Sequence, residues 1–461
     1  MREADALSRL ESLARALERE PQRDVLWSQF AELIRFFSLR HPVPPFVREL
    51  LGRALEHPAV DPGDLVRPVS TLALSRPEGP LAEPLLLRLL RDAVIRDARL
   101  ELAITETRRR MVPSETMIAI AHQCFNTEYV FDETDEERAR LAQADPVVYA
   151  AYRPLHTLGA VEAPPSLQRQ QIEEPLEERR LATAIAALTR VENAVSAAVR
   201  EQYEANPYPR WIRAQTSFPE FATGARKILV AGCGTGQHAI ATARYFPQAE
   251  VLAVDLSRAS LGYAKRKTLE LGVANIDYRQ ADILELGTLA QRFDLIECSG
   301  VLHHLEDPLE GWRVLLSLRA PGALMRVGLY SELGRRAIVK ARELISARGW
   351  RPDPQGIRAC RAALRADPQY ARITANEDFY SMSGCRDLLF HVQEHRFTLP
   401  QIDAALRELG LEFLGFEFAD SGAALRRFHE RFADERSLPS WHELEEREPD
   451  TFSRMYQFWV R

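Results

Sequence analysis

Along residues 1–195 the apolar positions recur at helical spacing. Trp27, Phe30, Leu33, Ile34 and Phe37 fall three and four apart, the repeat of one helix face, and Leu85, Leu86, Leu89, Leu90 and Val94 do the same. Leu100, Ala103 and Ile104 fit less cleanly, with Leu102 off that face, and Met117, Ile118 and Ile120 form a further apolar cluster. Pro42-Val43-Pro44-Pro45 and Pro164-Pro165 break these helices. No fixed repeat of roughly 33 to 45 residues joins them, although a degenerate helical array stays open. Residues 181–203 read as one long alanine-rich helix.

The rhythm changes near Arg226. Short apolar runs at 227–231, 250–254, 276–279, 293–298 and 323–328 alternate with helical segments such as 260–271 and 308–318. Strands alternating with helices predict a parallel sheet covered on both faces. The pattern is helical again over 332–397, then helical at 400–409 and extended at 411–418. Residues 455–461 read as a final edge strand. The expected fold is therefore α/β: a Rossmann-like doubly wound sheet with an all-α N-terminal domain and a helical insert after the fifth strand. The expected division is 1–195 helical, 196–225 cap or linker, 226–331 cofactor-binding core, 332–397 insert and 398–461 completing the sheet. The insert would stand above the carboxyl ends of the strands, where such sheets bind ligands.

Composition narrows the class. The chain has 461 residues, enough for two to four domains at roughly 150 each. Its formal net charge is −6 and no long basic run appears, so nucleic acid is not an expected partner. Arg108-Arg109-Arg110 is short and reads as a solvated helix face. No stretch approaches the ~18 apolar residues of a membrane span, and the N-terminus has no apolar core of a secretory signal. Cys124, Cys233, Cys298, Cys360 and Cys385 form neither a CxxC pair nor a zinc spacing, so no metal is expected and a reduced cytoplasmic setting fits.

The candidate chemistry begins at Ala231-Gly232-Cys233-Gly234-Thr235-Gly236. A strand, a glycine turn and a helix start make an anion-binding device. Gly234-Thr235-Gly236-Gln237-His238-Ala239 also satisfies the dinucleotide pattern, and Asp255 follows Gly236 by 19 residues (255 − 236). Taken alone, these residues leave a nicotinamide enzyme open.

The wider segment resembles the class I S-adenosylmethionine-dependent methyltransferase superfamily, of the bacterial type with a helical N-terminal extension. The likeness is strong over 200–330 and weak toward the C-terminus. Gly232-Cys233-Gly234-Thr235-Gly236 is similar to the family's first motif, which contacts the methionine part of the cofactor. Asp255 matches the acid that binds the ribose hydroxyls. Gln280-Ala281-Asp282-Ile283 matches the segment whose Asp faces the adenine amino group. Cys298-Ser299-Gly300-Val301-Leu302-His303-His304-Leu305 resembles the stretch beside the methyl, and Pro321-Gly322 precedes the fifth strand as in relatives. The resemblance implies S-adenosylmethionine bound by Gly232, Cys233, Gly234, Gly236, Gln237, Asp255, Leu256, Asp282, Ile283 and Ser299. One position departs: Val230 stands where family members usually carry an acid that helps hold the cofactor's amino group. Tyr203, Tyr208, Gln237 or a loop carbonyl are the candidates to compensate.

The segment from Glu201 to Trp211 resembles the cap before the core in some bacterial methyltransferases. Tyr208, Arg210 and Trp211 either form a lid over cofactor and acceptor or make a rigid connector. His303, His304 and Tyr330 are the catalytic candidates, since a histidine near its ordinary pKa suits an acceptor that must lose a proton. Ser331, Glu332, Phe379, Tyr380, Ser381, His391 and His395 are further residues for an acceptor pocket. The size of the helical region favours a protein or peptide acceptor recruited by it. A small-molecule methyltransferase and a non-catalytic cofactor-binding scaffold or sensor, the latter motivated by Val230, are the alternatives. A homodimer is compatible with either.

Overall fold

The stripe of Trp27, Phe30 and Ile34 is buried on the helix Asp24–Ile34, and Leu85, Leu86, Leu89 and Leu90 are buried on Pro84–Asp92. Asp97 opens the next helix, Ala98–Arg109, by accepting the amides of Arg99 and Leu100. That helix buries Leu100 and Ile104 and leaves Leu102 exposed, as the spacing predicts. The computed structural model describes residues 3–211, 224–418, 422–453 and 455–461, so 212–223 of the expected cap at 196–225 lie outside the described residues. Contacts divide the chain into two units. One comprises Met1–Leu176, Asp353–Arg361 and Ala375–Cys385; the other comprises Glu177–Pro352, Ala362–Thr374 and Arg386–Arg461.

Every regular element among the described residues of the first unit is a helix. Its interior holds a buried ion pair: Arg361 Nη2 lies 2.7 Å from Glu101 Oε2, and the same guanidinium donates to the carbonyls of Phe379 and Val130.

The second unit is built on a sheet of seven described strands: β1 (Lys227–Ala231), β2 (Glu250–Asp255), β3 (Ile276–Gln280), β4 (Phe293–Ser299), β5 (Arg319–Leu329), β6 (Phe413–Phe416) and β7 (Tyr456–Val460). Their order is β3-β2-β1-β4-β5-β7-β6. The first five are parallel, and β7 runs antiparallel between β5 and β6. The terminal strand is thus interior rather than the expected edge. Tyr456, Phe458 and Val460 face one buried layer and Trp459 the other, and a strand buried on both faces belongs inside a sheet. The edge falls to the short β6.

The long helix expected over 181–203 is two. Helix Glu174–Ala184 ends, Ala187 bridges Gln280 at the end of β3, and Asn193 caps a new helix, Ala194–Ala205. The Leu188 amide donates to the Gln280 carbonyl at 2.8 Å, and the Thr189 hydroxyl accepts the Asp282 amide at 2.8 Å. Backbone pairing with the edge of the sheet overrides the helix propensity of the alanines.

Candidate active site

Strand β1 ends in a turn that only glycine fits at Gly232. Its φ is +75°, and a Cβ there would lie 2.3 Å from Val301 Cγ2. The amides of Gly232 and Cys233 both donate to the Val254 carbonyl of β2, at 2.8 and 2.9 Å. Gly236, at φ +83°, is the N-cap of helix Gln237–Tyr245 and supplies no side-chain cap. A Cβ on it would meet Ala264 at 2.6 Å, so its role is close packing of the turn on the helix Arg258–Glu270.

A cavity of about 320 Å³ opens along this turn, inside the second unit. Of the residues expected to bind the cofactor, Gly232, Cys233, Gly234, Gln237, Asp255, Leu256, Asp282, Ile283, Ser299 and Tyr208 line it. Gly236, Arg210 and Trp211 do not. The Trp211 indole donates to the Thr235 carbonyl at 3.0 Å, the Tyr263 hydroxyl donates to the Trp211 carbonyl at 2.6 Å, and the Thr235 hydroxyl donates to the Pro209 carbonyl. Trp211 and the Pro209 carbonyl thereby fasten this segment to the glycine loop, as a connector does, while Tyr208 and Pro209 line the cavity.

Asp255 ends β2 with its carboxylate fully engaged with backbone: Oδ2 accepts the Gly234 amide at 2.8 Å and Oδ1 the Ser257 amide at 2.9 Å. Burial pushes its pKa up to about 6, with the two amides pulling the other way. Each oxygen retains a lone pair for a diol. Asp282 caps the turn after β3 by accepting the Leu284 amide through Oδ1. Its Oδ2 has no hydrogen-bond partner among the described residues.

Of the expected catalytic residues, His304 and Tyr330 line the cavity and His303 does not. His303 is fully buried, stacks on Tyr330 with ring centroids 3.8 Å apart, and finds no partner for either ring nitrogen among the described residues. Burial, with His304 next to it, holds its pKa well below the usual histidine range, so it sits in place as a neutral packing element. His304 is different. Its Nδ1 lies 2.7 Å from the Gln393 carbonyl, which can only accept, so Nδ1 carries the proton and Nε2 the lone pair. Burial lowers its pKa to about 4.

Asp387, which sequence reasoning left out, completes the wall with Tyr203, one of the candidates to compensate for Val230. Tyr203 donates to Asp387 Oδ1 at 2.6 Å and meets His391 Nε2 at 3.1 Å. The Gln393 amide donates to His391 Nδ1 at 3.1 Å, so His391 Nε2 bears the proton and gives it to the Tyr203 oxygen. Ligand atoms of His304, Asp387 and His391 lie within 4.8 Å of one another. A proton-bearing Nε2 on His391 is the wrong protonation for a metal ligand, and the hydrogen-bond chain accounts for the cluster without one. Glu297, Arg326, His238, Met455 and Gln457 line the remaining end. The available signal was a charge in the middle of each of two apolar runs, Glu297 in 293–298 and Arg326 in 323–328.

A family profile described as a methyltransferase domain matches residues 228–321. An uncharacterized protein of Synechococcus sp. is 31% identical over 285 residues, covering 54% of this chain and 67% of that protein. The chain belongs to the class I S-adenosylmethionine-dependent methyltransferase superfamily. A ubiquinone biosynthesis O-methyltransferase of Acinetobacter baylyi is 35% identical over 98 residues, which is 21% of this methyltransferase and 40% of that enzyme's length. A solved structure of PKMT2 from Rickettsia typhi aligns with a TM-score of 0.39 at 17% identity, covering 58% of this chain and 51% of that one.

The cofactor is S-adenosylmethionine, and the residues present fit it. Asp282, whose buried Oδ2 has no partner among the described residues, would meet the adenine amino group, Asp255 would take the ribose diol, and the glycine turn would leave room for the methionine end.

Proposed function

We propose that this methyltransferase acts on a small molecule bearing a hydroxyl group and that His304 takes the acceptor's proton. The tautomer of His304 carries the reading: Nδ1 is committed to the Gln393 carbonyl, and Nε2 is left as a lone pair on a ring that lines the cavity. Bound S-adenosylmethionine supplies an activated methyl group. The chain's own tasks are to hold the acceptor oxygen, exclude water and remove the proton as the oxygen becomes nucleophilic. His304 is neutral at pH 7 because burial depresses its pKa to about 4, so no proton has to leave before it acts as a base. Tyr330, edge-on to His304 with centroids 5.7 Å apart, positions that ring. The name of the curated relatives, ubiquinone biosynthesis O-methyltransferase, supports an oxygen acceptor. The five cysteines, all buried free thiols, support a reducing cytoplasmic setting.

A second reading keeps the chemistry and changes the acceptor to a protein or peptide recruited by the helical unit. What favours it is the extent of that unit, which has its own buried core while every residue lining the cavity belongs to the other unit. The test is incubation with methyl-labelled S-adenosylmethionine and a lysate, followed by separation of small molecules from macromolecules. Label in the small-molecule fraction that disappears with His304→Gln carries the first reading. Label confined to protein carries the second. Label in neither, with cofactor binding intact, returns the scaffold reading.

A further inference from the structure

The cofactor cavity has a carboxylate that its family motifs do not account for. Glu297 on β4 pairs in register with Val230 on β1 and with Arg326 on β5. Register partners on neighbouring strands project from the same face, roughly 4.8 Å apart. Glu297 therefore stands one strand away from the position at which related enzymes usually place an acid and this chain has Val230. It is 1% exposed and lines the cavity.

Its two oxygens are unequal. Oε2 accepts the Thr242 hydroxyl at 2.7 Å and lies 2.7 Å from His238 Nε2. Oε1 has no hydrogen-bond partner among the described residues. Burial raises the pKa of this carboxyl, but His238, Arg326 and Thr242 together overcome it and hold Glu297 below the usual range, so it is charged at pH 7. Arg326 does not fill the vacancy at Oε1. Its guanidinium is held by Glu417 at 2.8 and 2.9 Å and by Gln457 at 3.2 Å. A buried, ionised carboxylate with one oxygen unmatched is costly unless a donor arrives with the ligand.

We infer that Glu297 holds the α-ammonium group at the methionine end of S-adenosylmethionine, so that β4 supplies the acid that β1 lacks. An ammonium group offers three donors and a full positive charge, which is what an open carboxylate oxygen in this wall selects. Tyr203, Tyr208, Gln237 and a loop carbonyl, the candidates to compensate for Val230, did not include it, because strand neighbours are far apart in sequence. The inference concerns the cofactor and is independent of the acceptor.

Two ligands separate this role from a structural one: S-adenosylhomocysteine, and its deamino analogue, which keeps the carboxylate and lacks the amino group. Calorimetry on the full chain is expected to show S-adenosylhomocysteine binding ~10-fold or more tighter than the analogue, the scale of one charge-assisted hydrogen bond. In Glu297→Gln, which keeps the shape and an acceptor for Thr242, the binding of S-adenosylhomocysteine weakens by that factor, the analogue is nearly unaffected, and the gap closes. Equal losses for both ligands would assign Glu297 to the Thr242–His238 network alone and overturn the inference. So would an unchanged gap, or a wild-type protein that binds both ligands equally. Thermal melting without ligand reports whether the variant is folded. Should Glu297→Gln not fold, Glu297→Asp, which keeps the charge and withdraws the oxygen, is read with the same ligand pair: the gap must narrow, and a full gap refutes the assignment.

Discussion

The Gly234 amide donates to the Asp255 carboxylate at 2.8 Å and ties the glycine loop to the end of the second strand. Burial of that carboxylate is expected to make cofactor binding sensitive to pH. Burial raises the Asp255 pKa to about 6, so the folded, unliganded protein retains that proton more readily than an unfolded chain does. The stability this favours is present at pH values below the ordinary carboxylate range and is lost as pH rises through about 6. Ribose hydroxyls donate best to the ionised carboxylate, so affinity for S-adenosylhomocysteine runs the opposite way, rising as pH increases from ~5 to ~7.5. Calorimetry across that range checks it, and Asp255→Asn is expected both to weaken binding and to flatten the dependence. A wild-type affinity that is constant with pH would contradict the argument.

His304 gives a kinetic counterpart. An ordinary histidine base would cut the rate as pH falls through ~6.5. With its pKa lowered by burial to about 4, His304 stays neutral well below that, so the acid limb of kcat is expected near 4. His304→Gln is expected to lower kcat by ~10²- to 10⁴-fold, the range for a lost general base, while S-adenosylhomocysteine binding holds nearly constant. A kcat unchanged in the variant would remove His304 from the chemistry.

How far the site was legible depended on whether its signal was local. The glycine turn, Asp255 and Asp282 are short-range features: a strand end followed by residues that set backbone shape, and each stands where the spacing placed it. Glu297 and Asp387 were not legible as site residues. Glu297 matters because of its register with Val230, and Asp387 because it comes to Tyr203 from nearly two hundred residues away. Helix propensity misled over 181–203, where pairing with Gln280 at the sheet edge decided the backbone. The pattern of 455–461 suggested an edge, yet Trp459 and Phe458 point to opposite buried layers, and only the sheet order shows that both are covered.

Gly232 offers a steric test of the loop. A methyl group there would lie 2.3 and 2.7 Å from the two methyls of Val301, at a φ of +75° that side chains rarely adopt. Gly232→Ala is expected to displace the loop and weaken S-adenosylhomocysteine binding more than ~10-fold, since backbone conformation and packing fail together. Gly272→Ala is the control: its φ is +66° but nothing lies within 4 Å, so it costs ~1–2 kcal/mol of stability and leaves binding alone. Adding Val301→Ala to Gly232→Ala removes the clash but not the strain, and partial recovery of affinity would separate the two.

The ion pair of the helical unit tests what holds that unit together. Arg361 is 3% exposed, and its guanidinium bridges Glu101 at 2.7 and 3.1 Å and two backbone carbonyls. Arg361→Met leaves the buried Glu101 charge without this cation and two carbonyls without their donor. Breaking a buried pair from one side costs ~3–5 kcal/mol, because desolvation has been incurred and the attraction is gone. Denaturant titration should show a loss of that size. The double variant Arg361→Met, Glu101→Leu removes the stranded charge, so it should unfold at higher denaturant than Arg361→Met alone. If the losses of Arg361→Met and Glu101→Leu, each measured alone, simply add in the double variant, the pair is not coupled and the stabilisation lies in the carbonyl contacts to Phe379 and Val130. Cofactor affinity should be unchanged in either variant, since every residue lining the cavity belongs to the other unit.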